Sequence, residues 1–251
     1  KTVGGNPGGY TQLGELHNDH PATIGTLIHE LGHDLGTATI YFGLPDLYDP
    51  DDSSHGVGYW CSMSAGLWNY ATTSGDTPAH FSAWCKWYLG WLTPSQITST
   101  QTGVSLPRVE DETVADHGVK QVLYNPNGPE ISGTGEYFLI ENRQLSGYDA
   151  GLPGAGILIW HIDETQANNT TEARKLVDLE EADGLNHLDL QANNAGDAGD
   201  PYPGTTVNRT FNDTSSPNSK LYSGANSDVG VENISNSLVT MTADIIIADR
   251  P

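Results

Sequence analysis

Basic side chains are scarce in this sequence. Ten lysines and arginines stand against 32 aspartates and glutamates, a formal net charge of −22. A surface of that sign repels nucleic acid and anionic membranes, so neither is an expected partner. No apolar run is long enough for a transmembrane helix. There is no signal peptide, and a chain that starts at Lys1 reads as a processed or trimmed product. The two cysteines, Cys61 and Cys85, allow one disulfide outside the cell or two free thiols. Internal repeats, heptads and EF-hand spacing are all missing. Hydrophobic residues make up 36% and charged residues 17%, while Gly, Asn, Asp, Ser and Thr abound. That mixture predicts many turns around a β-rich framework and excludes a helical bundle.

What is present divides near residues 95–105. The first part is mixed. A helix is expected over residues 23–35, with Pro21 at its start and Gly36 as its C-cap, and a second over residues 78–89, ended by Gly90. The second part alternates short apolar runs with turn-forming segments. Strands are expected over residues 119–124, 137–141, 157–162 and 238–247. The fold class is therefore α+β, a helix-bearing region over residues 1–100 followed by a β-rich, sandwich-like region over residues 101–251. A chain of 251 residues can support one large core or two smaller ones.

The chemistry gathers on the first helix, at His29-Glu30-Leu31-Gly32-His33. Histidines at i and i+4 lie one turn apart on one face, so both imidazoles can reach one metal ion. A glutamate directly after the first histidine sits beside that ion and can polarise a bound water without ligating the metal. Ile24, Leu27, Ile28, Leu31 and Leu35 form an apolar stripe, which is expected to anchor the helix in a core. A catalytic zinc needs three protein ligands and an open position. In the extended pattern HExxHxxGxx(H/D) the third ligand stands three residues after a glycine. Counting from Gly36 gives Thr39, a poor ligand, and counting from Gly43 gives Asp46. Asp46 is the expected third ligand, with Asp49 and His55 as alternatives.

His29-Glu30-Leu31-Gly32-His33-Asp34-Leu35-Gly36 followed by Leu44-Pro45-Asp46-Leu47-Tyr48-Asp49 resembles the immune inhibitor A family of secreted bacterial zinc metallopeptidases. In that family Leu-Pro-Asp follows the glycine at once, so residues 37–43 read as an insertion here. The passages 58–68, 78–92, 136–144 and 156–164 continue the resemblance. It implies a zincin-like active-site helix, zinc on His29, His33 and Asp46, and Glu30 as the catalytic base. It also implies a methionine turn at Met63 beneath the metal, and secretion; His80 and His161 fall in the matching passages and read as structural, since neither has ligand spacing to another His, Cys or acid. The family's usual tyrosine two residues after the methionine is replaced by Ala65, which leaves Tyr48, Tyr59 and Tyr70 as possible oxyanion partners. An upstream substrate-binding subdomain is implied as well, and the 28 residues before His29 leave no room for it.

The expected function is a zinc-dependent secreted endopeptidase acting on protein or peptide. One alternative is a non-catalytic, calcium-stabilised β-rich binding or adhesion module with a degenerate or truncated peptidase segment. Another is a zinc amidase acting on a non-protein amide. Calcium is an expected second cofactor, because Asp163, Glu164, Glu180, Glu181, Asp183, Asp197 and Asp200 are acids in or beside turns.

Overall fold

A computed structural model describes residues 13–17, 20–35, 43–111, 116–123, 125 and 127–248. Among the described residues the regular elements are β1 (Leu16–His17), β2 (His20–Pro21), α1 (Ile24–Asp34), α2 (Ala83–Tyr88), β3 (Ser95–Gln96), β4 (Gln101–Pro107), β5 (Lys120–Val122), β6 (Glu136–Arg143), β7 (Gly156–Asp163), β8 (Val177–Leu179), β9 (Val229–Glu232) and β10 (Thr240–Ile247). The fold is α+β with more strand than helix. None of these helices is long and apolar enough to cross a membrane.

The middle of the fold is a five-stranded sheet in the order β3-β5-β6-β7-β8, antiparallel except for the β3–β5 pair. Its long central strands, β6 and β7, are buried at nearly every position and carry the apolar runs 137–140 and 157–160, the signature of a sheet covered on both faces. Side-chain alternation then sorts them into two cores. Tyr137, Leu139, Leu158, Trp160 and Ile162 face one core, shared with Leu47, Val57, Trp60, Met63 and Trp84 from the first hundred residues. Phe138, Ile140, Ile157 and Ile159 face the other, shared with Leu106, Val231, Met241 and Ile245 of a second sheet, ordered β4-β10-β9. The result is three layers, with the helix-bearing segment on one side of the central sheet and the small sheet on the other. Asn142 ties the sheets together, its Nδ2 donating to Leu106 O at 2.8 Å.

Several expectations need correction. Pro21 lies in β2, and α1 starts after Thr23 with Ile24. The Gly36 cap and all of the insertion but Gly43 fall outside the described residues. The second helix covers only Ala83–Tyr88, because Ser82 caps it by accepting a hydrogen bond from Cys85 N. Gly90 does close it, at φ +71°. The largest correction concerns the apolar stripe of α1. Ile24, Leu27, Leu31 and Leu35 are 37–40% exposed, and only Ile28 packs against the core. The buried face carries Gly25, His29 and Gly32. A Cβ at Gly25 would lie 1.9 Å from Leu67 O, and one at Gly32 would lie 2.5 Å from Met63 Sδ. The helix is seated on the 62–67 segment by its smallest residues, because that seating points the histidines inward. The two cysteines are buried free thiols.

Candidate metal centre

Helix α1 presents His29 and His33 on one face, and the chain arriving from Gly43 brings in the third donor. Leu44 N donates to Gly32 O at 2.9 Å, which lays residues 44–46 against the last turn of α1. A Cβ at Gly43 would lie 1.9 Å from His33 O, so glycine is what permits this close return. Asp46 Oδ1 then stands 3.2 Å from His29 Nε2 and 3.1 Å from His33 Nε2, while the two Nε2 atoms are 3.3 Å apart.

The other ring nitrogens are already committed. His29 Nδ1 donates to Ser62 O at 2.8 Å, and His33 Nδ1 donates to Leu44 O at 2.7 Å. These bonds fix both tautomers and turn both Nε2 lone pairs towards the same point. Asp46 Oδ1 is buried without hydrogen-bond geometry to either imidazole, close as they are. Three acceptors thus converge with no proton donor between them, an arrangement that costs free energy unless a cation fills it. Zinc bonds near 2.0 Å in a tetrahedral site put neighbouring donors about 3.3 Å apart. The observed triangle has that size, and its N, N, O chemistry suits zinc.

The pKa shifts describe the alternative, in which a proton on an imidazole Nε2 stands where the cation would. Burial opposes ionisation of Asp46, but the two imidazoles outweigh it and hold its carboxyl far below the usual range. Burial would lower the His33 pKa, yet Asp46, the Leu44 carbonyl and the charge of Glu30 raise it above its ordinary value.

Met63 is fully buried beneath α1, its sulfur against Gly32 in the turn between the two histidines. The peptide before it supplies Ser62 O to His29, and its own carbonyl accepts from Leu47 N at 2.8 Å. One tight turn therefore supports the helix, orients a histidine and anchors the segment that carries Asp46.

Glu30 and His29 open onto a cavity of about 350 Å³. Tyr48, Asp52, His55 and Gln191 also line it. Of the three tyrosines considered, Tyr48 is the one at the metal centre. Its ring stacks on His29 with centroids 6.2 Å apart, and its hydroxyl pKa is pushed up to about 12 by burial and by Asp46 and Glu30. The alternative ligands are used differently. Asp49 accepts hydrogen bonds from Asp51 N, Ser53 N and Ser54 N, which folds the 49–54 loop. His55 Nε2 bonds Asn193 O at 3.0 Å. Neither belongs to the His29, His33 and Asp46 group. The backbone acceptors Ser62 O and Leu44 O escaped the sequence reading, since main-chain atoms leave no residue-type signal.

His80 and His161 lie elsewhere. His80 is half-buried, with a pKa depressed to about 4 by burial and by Lys86. His161 is buried between Glu136 and Glu180, 3.1 Å from each.

No curated protein matches this chain. Residues 16–92, which supply the three converging donors, Glu30 and Met63, match the family model of the immune inhibitor A peptidase M6 catalytic domain, and over the segment that builds this centre the chain is similar to that family of peptidases.

Proposed function

We propose that the protein is a secreted zinc-dependent endopeptidase that cleaves protein or peptide substrates. The observation that carries this reading is the convergence of His29 Nε2, His33 Nε2 and Asp46 Oδ1 beside a cavity that Glu30 also lines. When bound there, zinc supplies a Lewis acid that brings the pKa of a coordinated water to about 7 and polarises the scissile carbonyl.

The chain's own groups do the rest. The Ser62 and Leu44 carbonyls hold both imidazoles in the tautomer that leaves Nε2 free to ligate. Glu30 takes a proton from the attacking water and passes it to the leaving amine nitrogen, which balances the hydrolysis. Tyr48, whose ring stacks on His29, can donate its phenolic proton to the oxyanion that forms on the substrate carbonyl. The substrate backbone would lie in the cavity between Glu30 and His55.

The test is Glu30→Gln. The variant should bind zinc and unfold at the same temperature as the parent, with casein hydrolysis reduced by about 10²–10⁴-fold. Retained proteolysis would overturn the assignment. Casein hydrolysis by the parent that ignores a zinc chelator would overturn the metal role. A well-folded, zinc-loaded parent with no hydrolase activity would favour the non-catalytic binding module instead.

A further inference from the structure

A second group of carboxylates lies away from the zinc centre, where the loop from Glu181 to Asp200 folds against the helix-bearing segment. Glu181, Asp183 and Asp200 each direct one oxygen into a common space, the three atoms within 4.8 Å of one another. Asp200 is fully buried. Its Oδ2 is occupied, accepting from Trp60 Nε1 at 2.9 Å and from Asp197 N at 3.0 Å. Its Oδ1 is buried and accepts no hydrogen bond. Glu181 is buried as well, pinned by Leu188 N and His187 N. The two strands of the loop are held in register by Ala182 N, which donates to Asp200 O at 2.8 Å.

We propose that Glu181, Asp183 and Asp200 form a calcium site that fastens this loop to the wall of the zinc cavity. An orphaned carboxylate oxygen inside the protein is a standing cost unless a cation takes it up. The donors are all hard oxygens, with no nitrogen or sulfur, and a span up to 4.8 Å suits a cation with bonds of about 2.4 Å. A divalent ion would also offset the negative charge that three clustered carboxylates bring together.

The consequence runs to the catalytic side through short links. Asp200 holds the indole of Trp60, and Trp60 stands three residues before Met63 in the segment that supports His29. Tyr59 N donates to Ala195 O at 2.8 Å, His55 N donates to Leu188 O at 2.9 Å, and Gln191 lines the cavity itself. Calcium would therefore set the position of one wall of the cleft without touching the reacting atoms.

Terbium reports on this directly, because Trp60 lies against the proposed ligand and can sensitise its luminescence. The full chain, loaded with zinc to block the first centre, is titrated with terbium under tryptophan excitation and then with calcium. We expect saturable luminescence that calcium displaces, and a rise in Tm with calcium. Asp200→Asn should weaken both metals at least tenfold. If that variant does not fold, Asp183→Asn, on the less buried side, should still weaken calcium at least tenfold with the zinc content unchanged. Displacement curves that coincide for the parent and Asp183→Asn would overturn the site, as would a parent whose Tm ignores calcium. Displacement by magnesium as readily as by calcium would overturn the choice of ion.

Discussion

Arg143 is fully buried, and its replacement is the sharpest test of how the layers are held together. The guanidinium meets Asp149 through two bonds, Nε to Oδ2 at 2.6 Å and Nη2 to Oδ1 at 2.7 Å. Nη1 reaches Glu141 at 3.2 Å. All three side chains are wholly excluded from solvent. Lys86 supplies a second cation, 3.5 Å from the other oxygen of Glu141, and Trp160 Nε1 donates to Glu141 at 2.9 Å. Arg143→Met removes one of two cations and leaves Asp149 with no cation against it, only the hydrogen bond from His80 N and the neighbouring Glu110 carboxyl. Breaking a buried pair from one side costs about 3–5 kcal/mol, a large part of a total stability of roughly 5–15 kcal/mol. For a chain of this size that lowers Tm by roughly 10 °C, at about 2–4 °C per kcal/mol. Arg143→Lys keeps the charge but loses the planar fork, and should cost about 1.5–3 kcal/mol. In Arg143→Met/Asp149→Asn the stranded charge is gone, so part of the loss should return. Guanidinium unfolding of the four proteins reads out the series. A cost below about 1 kcal/mol for Arg143→Met would refute the reasoning, as would a double variant less stable than the single one.

Three further outcomes are expected. His161, between Glu136 and Glu180, has its pKa raised from 6.5 to about 9 because the two carboxylates outweigh burial. Its contribution, about 3 kcal/mol, is complete below pH 6.5 and is lost as pH rises through 9, so His161→Gln should flatten the alkaline limb of stability against pH. An equally steep limb in that variant would refute the pairing. Gly32→Ala should destabilise by about 1–3 kcal/mol and weaken zinc binding, although alanine gains about 1 kcal/mol in helix propensity. A more stable Gly32→Ala in thermal unfolding would show that Met63 does not pack as closely as described. Tyr48→Phe should keep its zinc and its KM while kcat falls. A raised KM with unchanged kcat would assign Tyr48 to substrate binding alone.

Much of the framework is legible in the sequence because its periodicities are strong. The continuous apolar runs of β6 and β7 announce strands buried on both faces, and the alternation of Met241, Ala243 and Ile245 announces β10 with one face in the core. Strands β4 and β9 escape, since Gln101 to Ser105 and the short Val229–Glu232 carry little apolar signal. At the candidate centre the spacing of His29 and His33 predicts their meeting, and counting from Gly43 predicts that Asp46 joins them. The orientation of α1 is what the sequence misleads about. Amphipathicity assigns the leucine face to the core, but close approach to Met63 and Leu67 favours the glycine face, and packing decides. Gly25 and Gly32, unusual inside a helix, are the residues that carry that information.

The return of the chain at Gly43 also bears on how this centre tolerates change. Gly32 O accepts from Leu44 N, and Leu44 O in turn accepts from His33 Nδ1. Those two bonds clamp both ends of whatever joins Leu35 to Gly43. The position of Asp46 therefore depends on the clamp and not on the length of the joining chain. Doubling such a connection costs only about 0.6 kcal/mol in closure entropy. Sequence can therefore be added or exchanged between Leu35 and Gly43 while the donor triangle keeps its dimensions.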